Sequence, residues 1–323
     1  MRAVVCRAYG PPESLVVDEI ADPVPGPGQV VVRVHAAAVN YPDVLMLEGK
    51  YQVKAPPPFT PGSELAGEVI AVGEGAAFEP GQRVSATTFV GAFAEQALLH
   101  SMMVTEIPDG VDFVSAAAFG VTYRTAYHAL RSIAAVEPGD WVVVLGAAGG
   151  VGLAAVDLAV TMKARVLAAA SSPEKLELCR QRGAEATVDY DQEDLKTRIR
   201  ELTGDAARFV LDPVGGPYAE PALRGLSRGG TFITLGYAAG AIPSIPLNLV
   251  LLKGITVRGM EIRTFVTDRA DDSARDMREL REMFATGVIR PYIGARYPLA
   301  DTAAALRLVA DRKAIGKVVI DVA

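Results

Sequence analysis

The pattern of apolar and polar positions changes about a third of the way along the chain. Up to about residue 120, short β-branched runs such as 30–34 and 68–73 are separated by turns rich in proline and glycine. No long apolar stripe with the 3.6-residue period of a helix occurs before about Ser115. The pattern therefore predicts a small β-rich domain for this first part of the chain.

From about Ser115 onward, strand-like and helix-like segments alternate. The predicted strands span 141–145, 165–170, 186–188, 209–212, 231–235 and 255–259, and the predicted helices span 115–134, 150–162, 173–182, 192–202 and 218–226. This alternation is typical of right-handed crossovers in a doubly wound parallel sheet. One more helix (274–286) and a final strand (317–321) form a tail too short to be a domain, and we expect it to fold back onto the N-terminal domain.

A glycine-rich turn, 146–152, follows the first strand of the second part and leads into an apolar helix. The N–H groups and the dipole at a helix N-terminus favour a bound phosphate. In the dinucleotide-binding fingerprint, three small residues make a tight turn, let the backbone approach the pyrophosphate, and pack the helix on the strand. Ala147, Gly149 and Gly152 occupy these positions here. Glycines that serve packing alone would give the same pattern, so the turn by itself leaves both interpretations open.

Composition narrows the class of protein. A chain of 323 residues with 50% hydrophobic content is large enough for two domains, and its net charge of −6 gives no indication of nucleic-acid binding. The two cysteines, Cys6 and Cys179, exclude a disulfide framework and a four-cysteine zinc lobe. The apolar segment 141–160 is interrupted by clustered glycines and followed at once by a strand, which disfavours a membrane span. The N-terminus lacks the apolar core of a secretory signal, so we expect a cytoplasmic protein without a membrane partner.

Short motifs in a fixed order connect the two parts of the chain. They are Asn40-Tyr41-Pro42-Asp43, Gly49-Lys50-Tyr51, 61–67 (PGSELAG), 81–84 (GQRV), 91–95 (GAFAE), the glycine turn and 212–216 (DPVGG). In this order the chain resembles, over nearly its whole length, the zinc-free quinone oxidoreductase (zeta-crystallin-like) branch of the medium-chain dehydrogenase/reductase superfamily. The branch signature is imperfect at Val143, Asp157 and Val160.

The resemblance implies an α/β architecture in which a Rossmann domain is inserted in a smaller β-rich GroES-like domain. The expected boundaries are 1–120 plus 264–323 for the catalytic domain and 121–263 for the NADPH-binding domain. The zinc branch of the superfamily has a cysteine near Asn40 and a histidine where this chain has Ser63. A catalytic zinc needs three protein ligands, so we expect no bound metal.

The residues after the second predicted strand of the Rossmann part bear on the choice of cofactor. NAD-dependent enzymes place an acid there for the ribose 2′-hydroxyl, whereas this chain has Ser171, Ser172 and then Lys175. Hydroxyls and an ammonium group attract a 2′-phosphate. The resemblance implies that Lys175, Tyr190 and Arg312 clasp this phosphate, so we expect NADPH as the cofactor.

The resemblance also assigns the remaining site residues. Asn40 and Tyr51 are expected to line the nicotinamide pocket. Asn40 would hold the ring or a substrate oxygen, and Tyr51 would either donate a proton to the acceptor or only pack against it. The other expected cofactor contacts are Thr125, Gly149, Gly150, Val151, Gly152, Leu235, Gly236, Tyr237 and Phe265.

Three functions remain open at this point. The leading hypothesis is an NADPH-dependent, metal-free reductase of quinones or α,β-unsaturated carbonyl compounds. The second is an enoyl-thioester reductase, which convergence of Arg124, Lys253 and Arg263 would favour. The third is an NADPH-binding structural or sensor protein with negligible turnover. The resemblance further implies a homodimer joined through the last Rossmann strand, 255–259, which would otherwise be an exposed sheet edge.

Overall fold

The computed structural model describes residues 1–322, which divide into two compact units. Unit 1 comprises Met1–Val121 together with the chain from Arg290 onward, and unit 2 comprises Thr122–Ile289. The first boundary lies within one residue of the predicted one.

Unit 1 is the predicted β-rich part. A two-stranded sheet pairs β1 (Arg2–Val5) with β2 (Val16–Glu19). The main sheet has seven strands, and its members are β3 (Gln29–Val39), β4 (Glu64–Val72), β5 (Arg83–Thr87), β6 (Gln96–His100), β7 (Val104–Glu106), β14 (Ile293–Pro298) and β15 (Lys317–Asp321). Its strand order is β14-β15-β3-β4-β5-β7, and β6 pairs with β3. Valine, alanine and leucine side chains from these strands form its core.

Three helices accompany this sheet: α1 (Tyr41–Leu47), α2 (Phe113–Ala117) and α11 (Thr302–Ala310). The pattern did not predict α1 or α11, since both are shorter than a periodic stripe that the sequence would reveal. The C-terminal tail folds back as expected: β15 runs antiparallel to β3, with Val318 opposite Val39. Helix α11 connects the parallel strands β14 and β15.

Unit 2 contains the predicted doubly wound sheet. Its six parallel strands are β8 (Trp141–Leu145), β9 (Arg165–Ala170), β10 (Ala186–Asp189), β11 (Ala207–Asp212), β12 (Thr231–Thr234) and β13 (Thr256–Gly259). The strand order β10-β9-β8-β11-β12-β13 places the switch in winding direction between β8 and β11. Every residue of β8 is buried, as the continuous apolar run of a central parallel strand requires.

The helices of unit 2 are α4 (Gly150–Thr161), α5 (Pro173–Gln181), α6 (Leu195–Thr203), α7 (Ala219–Gly225), α8 (Leu247–Lys253), α9 (Ile262–Asp268) and α10 (Ala270–Ala285). The single helix predicted over 115–134 is instead three segments: α2, α3 (Gly120–Tyr127) and a π-helical segment, His128–Ala134. The chain passes from unit 1 to unit 2 within the first turn of α3. No helix among residues 1–322 combines the length and the apolar character that crossing a membrane requires.

The second domain boundary differs from the prediction, because residues 264–289 belong to unit 2. The reason is the packing of α10. Its Asp276 accepts a hydrogen bond at 2.8 Å from His128, and its Glu279 accepts one at 2.6 Å from the hydroxyl of Tyr127. These contacts tie α10 to the Rossmann unit, and only the chain from Arg290 onward completes the sheet of unit 1.

Candidate active site

The glycine-rich turn of unit 2 has the backbone geometry of a phosphate-binding turn. Gly146 has a φ of +58°, and Gly149 precedes the first turn of α4. A Cβ on Gly152 would lie 2.2 Å from the carbonyl oxygen of Gly146. The tight turn therefore occurs at Gly146, one residue before the predicted Ala147, and Gly152 provides the close packing of helix on strand.

The fit to a pyrophosphate follows from the same backbone. The N–H groups of Gly150, Val151 and Gly152 belong to the first turn of α4, where N–H groups have no intrahelical acceptor. Gly149 directly precedes them, and a Cβ at this position would lie only 3.3 Å from the carbonyl oxygen of Gly146, so glycine keeps the turn tight. The predicted residues of this segment thus suit a dinucleotide.

The ends of β9 and β10 bring four predicted residues together. Ser172 caps α5, and its hydroxyl accepts a hydrogen bond from the backbone N–H of Lys175 at 3.4 Å. The ammonium group of Lys175 donates to the hydroxyl of Ser171 at 3.0 Å. The backbone N–H of Tyr190 donates to Ala170 at the end of β9, which places Tyr190 beside this group. Hydroxyls, an ammonium group and an aromatic ring that packs at a tilt against Tyr218 thus lie at the edge where a ribose would bind.

One buried carboxylate organises the loop after β11, and backbone hydrogen bonds, such as the one from the N–H of Leu235 to the carbonyl of Asp212, join this loop to the loop after β12. Asp212 is 0% exposed and accepts hydrogen bonds of 2.8 Å from the N–H groups of both Val214 and Gly215. Burial raises the pKa of this carboxyl group. The loop that contains Leu235 and Gly236 lies against the first loop through Tyr237, whose ring Cδ1 would be 2.8 Å from a Cβ on Gly215.

Two further predicted residues of unit 2 lie away from these loops in the sequence. Thr125 is half-buried in the middle of α3. Phe265 is 5% exposed, and its ring packs on that of His128 with the centroids 4.3 Å apart. Their contact with a cofactor stays a prediction.

In unit 1, helix α1 separates the two predicted catalytic residues. Asn40 precedes its first turn, and Tyr51 follows its end, where the backbone N–H of Tyr51 donates to Leu45. The Tyr51 side chain is half-buried. Arg312, the third predicted phosphate ligand, is exposed just after α11 in unit 1, whereas Lys175 and Tyr190 belong to unit 2.

A buried polar cluster, which we call the strand-end cluster, surrounds Asn40. It consists of Asn40 directly after β3, Glu64 at the start of β4 and Lys317 at the start of β15, which are 5%, 1% and 3% exposed. The order β15-β3-β4 and the pairing of Val318 with Val39 bring these three strand ends side by side. Sequence reasoning missed the roles of Glu64 and Lys317. The sequence did contain a signal for these roles, because Glu64 and Lys317 are charged residues directly next to the apolar runs of β4 and β15.

In the strand-end cluster, both the oxygen and the nitrogen of the Asn40 carboxamide form hydrogen bonds. The ammonium group of Lys317 donates to Oδ1 of Asn40 at 2.7 Å and to Oε2 of Glu64 at 3.1 Å. Nδ2 of Asn40 donates to the same carboxylate oxygen at 3.2 Å. The other oxygen of Glu64 accepts a 2.7 Å hydrogen bond from the N–H of Val121 in the first turn of α3, which explains why a new helix begins there.

A second carboxyl group lies beneath Asn40. Asp43 is 0% exposed, and its Oδ2 accepts a 2.8 Å hydrogen bond from the backbone N–H of Asn40. Burial raises the pKa of Asp43 to about 7, although hydrogen bonds from Asn40 and Ser63 oppose the shift. Ser63 is half-buried, and its Oγ lies 3.4 Å from Nδ2 of Asn40.

The donor set does not match a metal centre. Among residues 1–322, no group of three or more His, Cys, Asp or Glu side chains is arranged to hold a metal ion. Near Asn40 the two carboxyl groups are already engaged with Lys317 and with backbone N–H groups.

A Rossmann unit with a phosphate-binding turn, together with a GroES-like β unit, defines the medium-chain dehydrogenase/reductase superfamily. The alcohol dehydrogenase GroES-like domain family matches residues 26–109, and the zinc-binding dehydrogenase family matches 150–283. This chain belongs to that superfamily and, within it, to the quinone oxidoreductase-like proteins.

Three relatives illustrate this placement. A quinone oxidoreductase-like protein 2 homolog of Nematostella vectensis is 36% identical over 99% of this chain and 88% of its own length. Human quinone oxidoreductase is 33% identical over 94% of this chain and 92% of its own. The crystal structure of Escherichia coli quinone oxidoreductase complexed with NADPH covers 100% of both chains at a TM-score of 0.92 and 27% identity. The chain is thus an oxidoreductase-type protein of a family that uses nicotinamide dinucleotides.

Proposed function

We propose that this protein is an NADPH-dependent reductase that transfers a hydride to quinones or α,β-unsaturated carbonyl compounds without a metal. The observation that carries the proposal is the group of Ser171, Ser172, Lys175 and Tyr190 at the ends of β9 and β10. A 2′-phosphate would find an ammonium group and hydroxyls there, and β9 ends in alanine and is followed by serines instead of the acid that NAD-dependent enzymes place at this point.

Different residues would bind the cofactor and the acceptor. The first turn of α4 and Gly149 would hold the pyrophosphate, and Lys175 would hold the 2′-phosphate. NADPH supplies the hydride when it is bound. Tyr51 would orient the acceptor and either give its phenol proton to the acceptor oxygen or pack against the ring.

The alternative of an enoyl-thioester reductase is less well supported. It would require basic residues that converge on a pantetheine phosphate or a carrier protein. Lys253 ends α8 ahead of β13, and its ammonium group donates to the backbone carbonyls of Arg224 and Leu226. That position is at the amino-terminal side of the parallel sheet, whereas cofactor and substrate bind beyond the carboxyl ends of the strands.

We also propose a homodimer through β13. This strand is the edge of the six-stranded sheet, and all four of its residues are exposed. Val257 is 45% exposed, and Leu247 and Leu251 of the preceding helix are 79% and 81% exposed. Proteins normally pair or cover an apolar sheet edge of this kind.

The test is a panel of acceptors, consisting of quinones, enones and enoyl-CoA esters, assayed by NADPH oxidation at 340 nm with NADH in parallel. We expect turnover with quinones or enones and a preference for NADPH. Preference for enoyl-CoA esters would replace this proposal with the thioester alternative. Tight NADPH binding without turnover on any acceptor would instead favour a structural or sensor protein.

A further inference from the structure

The strand-end cluster contains an ion pair that spans a strand. Lys317 and Glu64 belong to β15 and β4, which are neighbours of β3 but not of each other. Their 3.1 Å contact therefore lies over the end of β3, at Asn40. Both partners also hydrogen-bond to the Asn40 side chain, so the pair and the amide form one unit.

We propose that Lys317 and Glu64 are positioning residues that lock the Asn40 carboxamide in one orientation for the hydride-transfer reaction. This inference rests on the proposed function, because the orientation of the Asn40 amide affects the reaction only if Asn40 takes part in hydride transfer. Lys317 and Glu64 themselves would not touch the substrate.

Charge favours one orientation of the amide, and a longer contact of Nδ2 with the carbonyl oxygen of Ala38, at 3.5 Å, acts in the same direction. An ammonium group is only a donor and a carboxylate is only an acceptor. In the present orientation Oδ1 faces Lys317 at 2.7 Å, and Nδ2 faces Glu64 at 3.2 Å. A rotation of the amide by 180° would place two donors together on one side and two acceptors together on the other. The pair therefore excludes the flipped amide.

Burial strengthens this selection. All three side chains are at most 5% exposed, so water cannot replace the lost hydrogen bonds in the flipped state. A pair that served only to join strands would not need to contact an amide between them. A buried ion pair is often no more stable than apolar residues of similar volume, so stability alone does not account for this pair, whereas the order that it imposes on Asn40 does.

The key variant is the neutral pair Lys317→Met with Glu64→Gln. It removes both charges together, so that no unpaired charge is left buried, and Gln can still accept the hydrogen bond from Val121. We expect this variant to fold, to bind NADPH with a Kd within about threefold of the wild type, and to transfer hydride about tenfold more slowly at saturating quinone in single turnovers. The KM for quinone should change less than the rate. Asn40→Ala should give a similar loss of rate.

The triple variant, which adds Asn40→Ala to the neutral pair, tests whether the ion pair acts on the rate through Asn40. If the pair acts through Asn40, the triple variant should be no slower than Asn40→Ala alone. A matched control is Arg296→Met with Asp321→Asn, which removes an exposed ion pair between β14 and β15 and should keep the wild-type rate. If the neutral pair is insoluble, Glu64→Gln takes its place. The double variant of Glu64→Gln with Asn40→Ala should then be no slower than Asn40→Ala alone.

Three results would overturn the inference. They are a wild-type hydride-transfer rate in the neutral pair, rate losses that multiply in the triple variant, and a loss confined to NADPH affinity. If the wild type itself transfers no hydride to any acceptor, the proposed function fails. Neutron crystal structures of the wild type and the neutral pair, which locate the amide hydrogens, then decide the positioning claim, and it is refuted if the Asn40 amide keeps the same orientation in both.

Discussion

The buried carboxyl group of Asp43 should make the stability of unit 1 fall as the pH rises. Its folded-state pKa is about 7 because it is completely buried, and an unfolded aspartate titrates near about 4. Between these two values the folded protein binds more protons than the unfolded chain, so the free energy of unfolding decreases with increasing pH. The difference of about 3 pH units corresponds to about 4 kcal/mol over the whole range, and to about 2 kcal/mol between pH 5.5 and pH 8.

The substitution Asp43→Asn isolates this effect. Asparagine is nearly isosteric, stays neutral at every pH and can accept the hydrogen bond from the N–H of Asn40 that Asp43 accepts now. We therefore expect the variant to gain about 2 kcal/mol relative to the wild type when the pH rises from 5.5 to 8. Asp109→Asn, which changes an exposed aspartate of the same unit, should show no such gain.

The chain offers a separate probe for each unit. Its two cysteines are both free and buried, Cys6 in unit 1 and Cys179 in unit 2. Urea titrations with pulsed thiol labelling by a disulfide reagent that reacts at both pH values, followed by peptide mass spectrometry, report the unfolding of each unit. The pH-dependent gain should appear at Cys6 and not at Cys179. If the difference in the free energy of unfolding between the wild type and Asp43→Asn is the same at both pH values, the reasoning is refuted.

Four other outcomes are expected. Lys175→Ala should reduce the affinity for NADPH by roughly ten- to a hundredfold and leave that for NADH unchanged, as measured by cofactor fluorescence, whereas Lys196→Ala should change neither. Exhaustive chelation should leave turnover intact, and elemental analysis should find no stoichiometric zinc; activity that zinc restores after chelation would contradict this. Sedimentation should give a dimer mass at micromolar concentration, and Val257→Lys should shift it towards the monomer. If the Tyr51 phenol donates a proton, Tyr51→Phe should slow enone reduction by about 10²-fold and quinone reduction much less. If the phenol only packs against the acceptor, both rates should stay at the wild-type value.

Local patterns were sufficient to predict most of the parallel sheet. The apolar run of β8 and the glycines that follow it determine strand, turn and helix within a few residues, so the start of α4 at Gly150 was predicted correctly. The residue in the left-handed conformation was assigned one position late, because small residues at both 146 and 147 satisfy the same pattern and only the backbone geometry distinguishes them. Helices as short as α1 leave too few turns for a periodic signal.

The partners of Asn40 could not be predicted because they are distant in sequence. Glu64 and Lys317 meet only through the pairing of β15 with β3, and no local pattern contains that register. The second domain boundary differs from the predicted one for a similar reason. It depends on hydrogen bonds from α10 to the last residue of α3 and the first residue of the π-helical segment, some 150 positions earlier, which no run of the sequence reveals.

The return of the chain to unit 1 sets a constraint on its synthesis. Unit 2 is one continuous stretch, so all of its residues are available once the ribosome has passed Ile289. Unit 1 must wait, because β14 and β15 are made last and Glu64 meets Lys317 across 253 residues. A nascent chain that ends at Ile289 would therefore carry a complete nucleotide-binding unit beside an open sheet, whose strand β3 still lacks a neighbour and whose buried carboxylate still lacks its counter-ion.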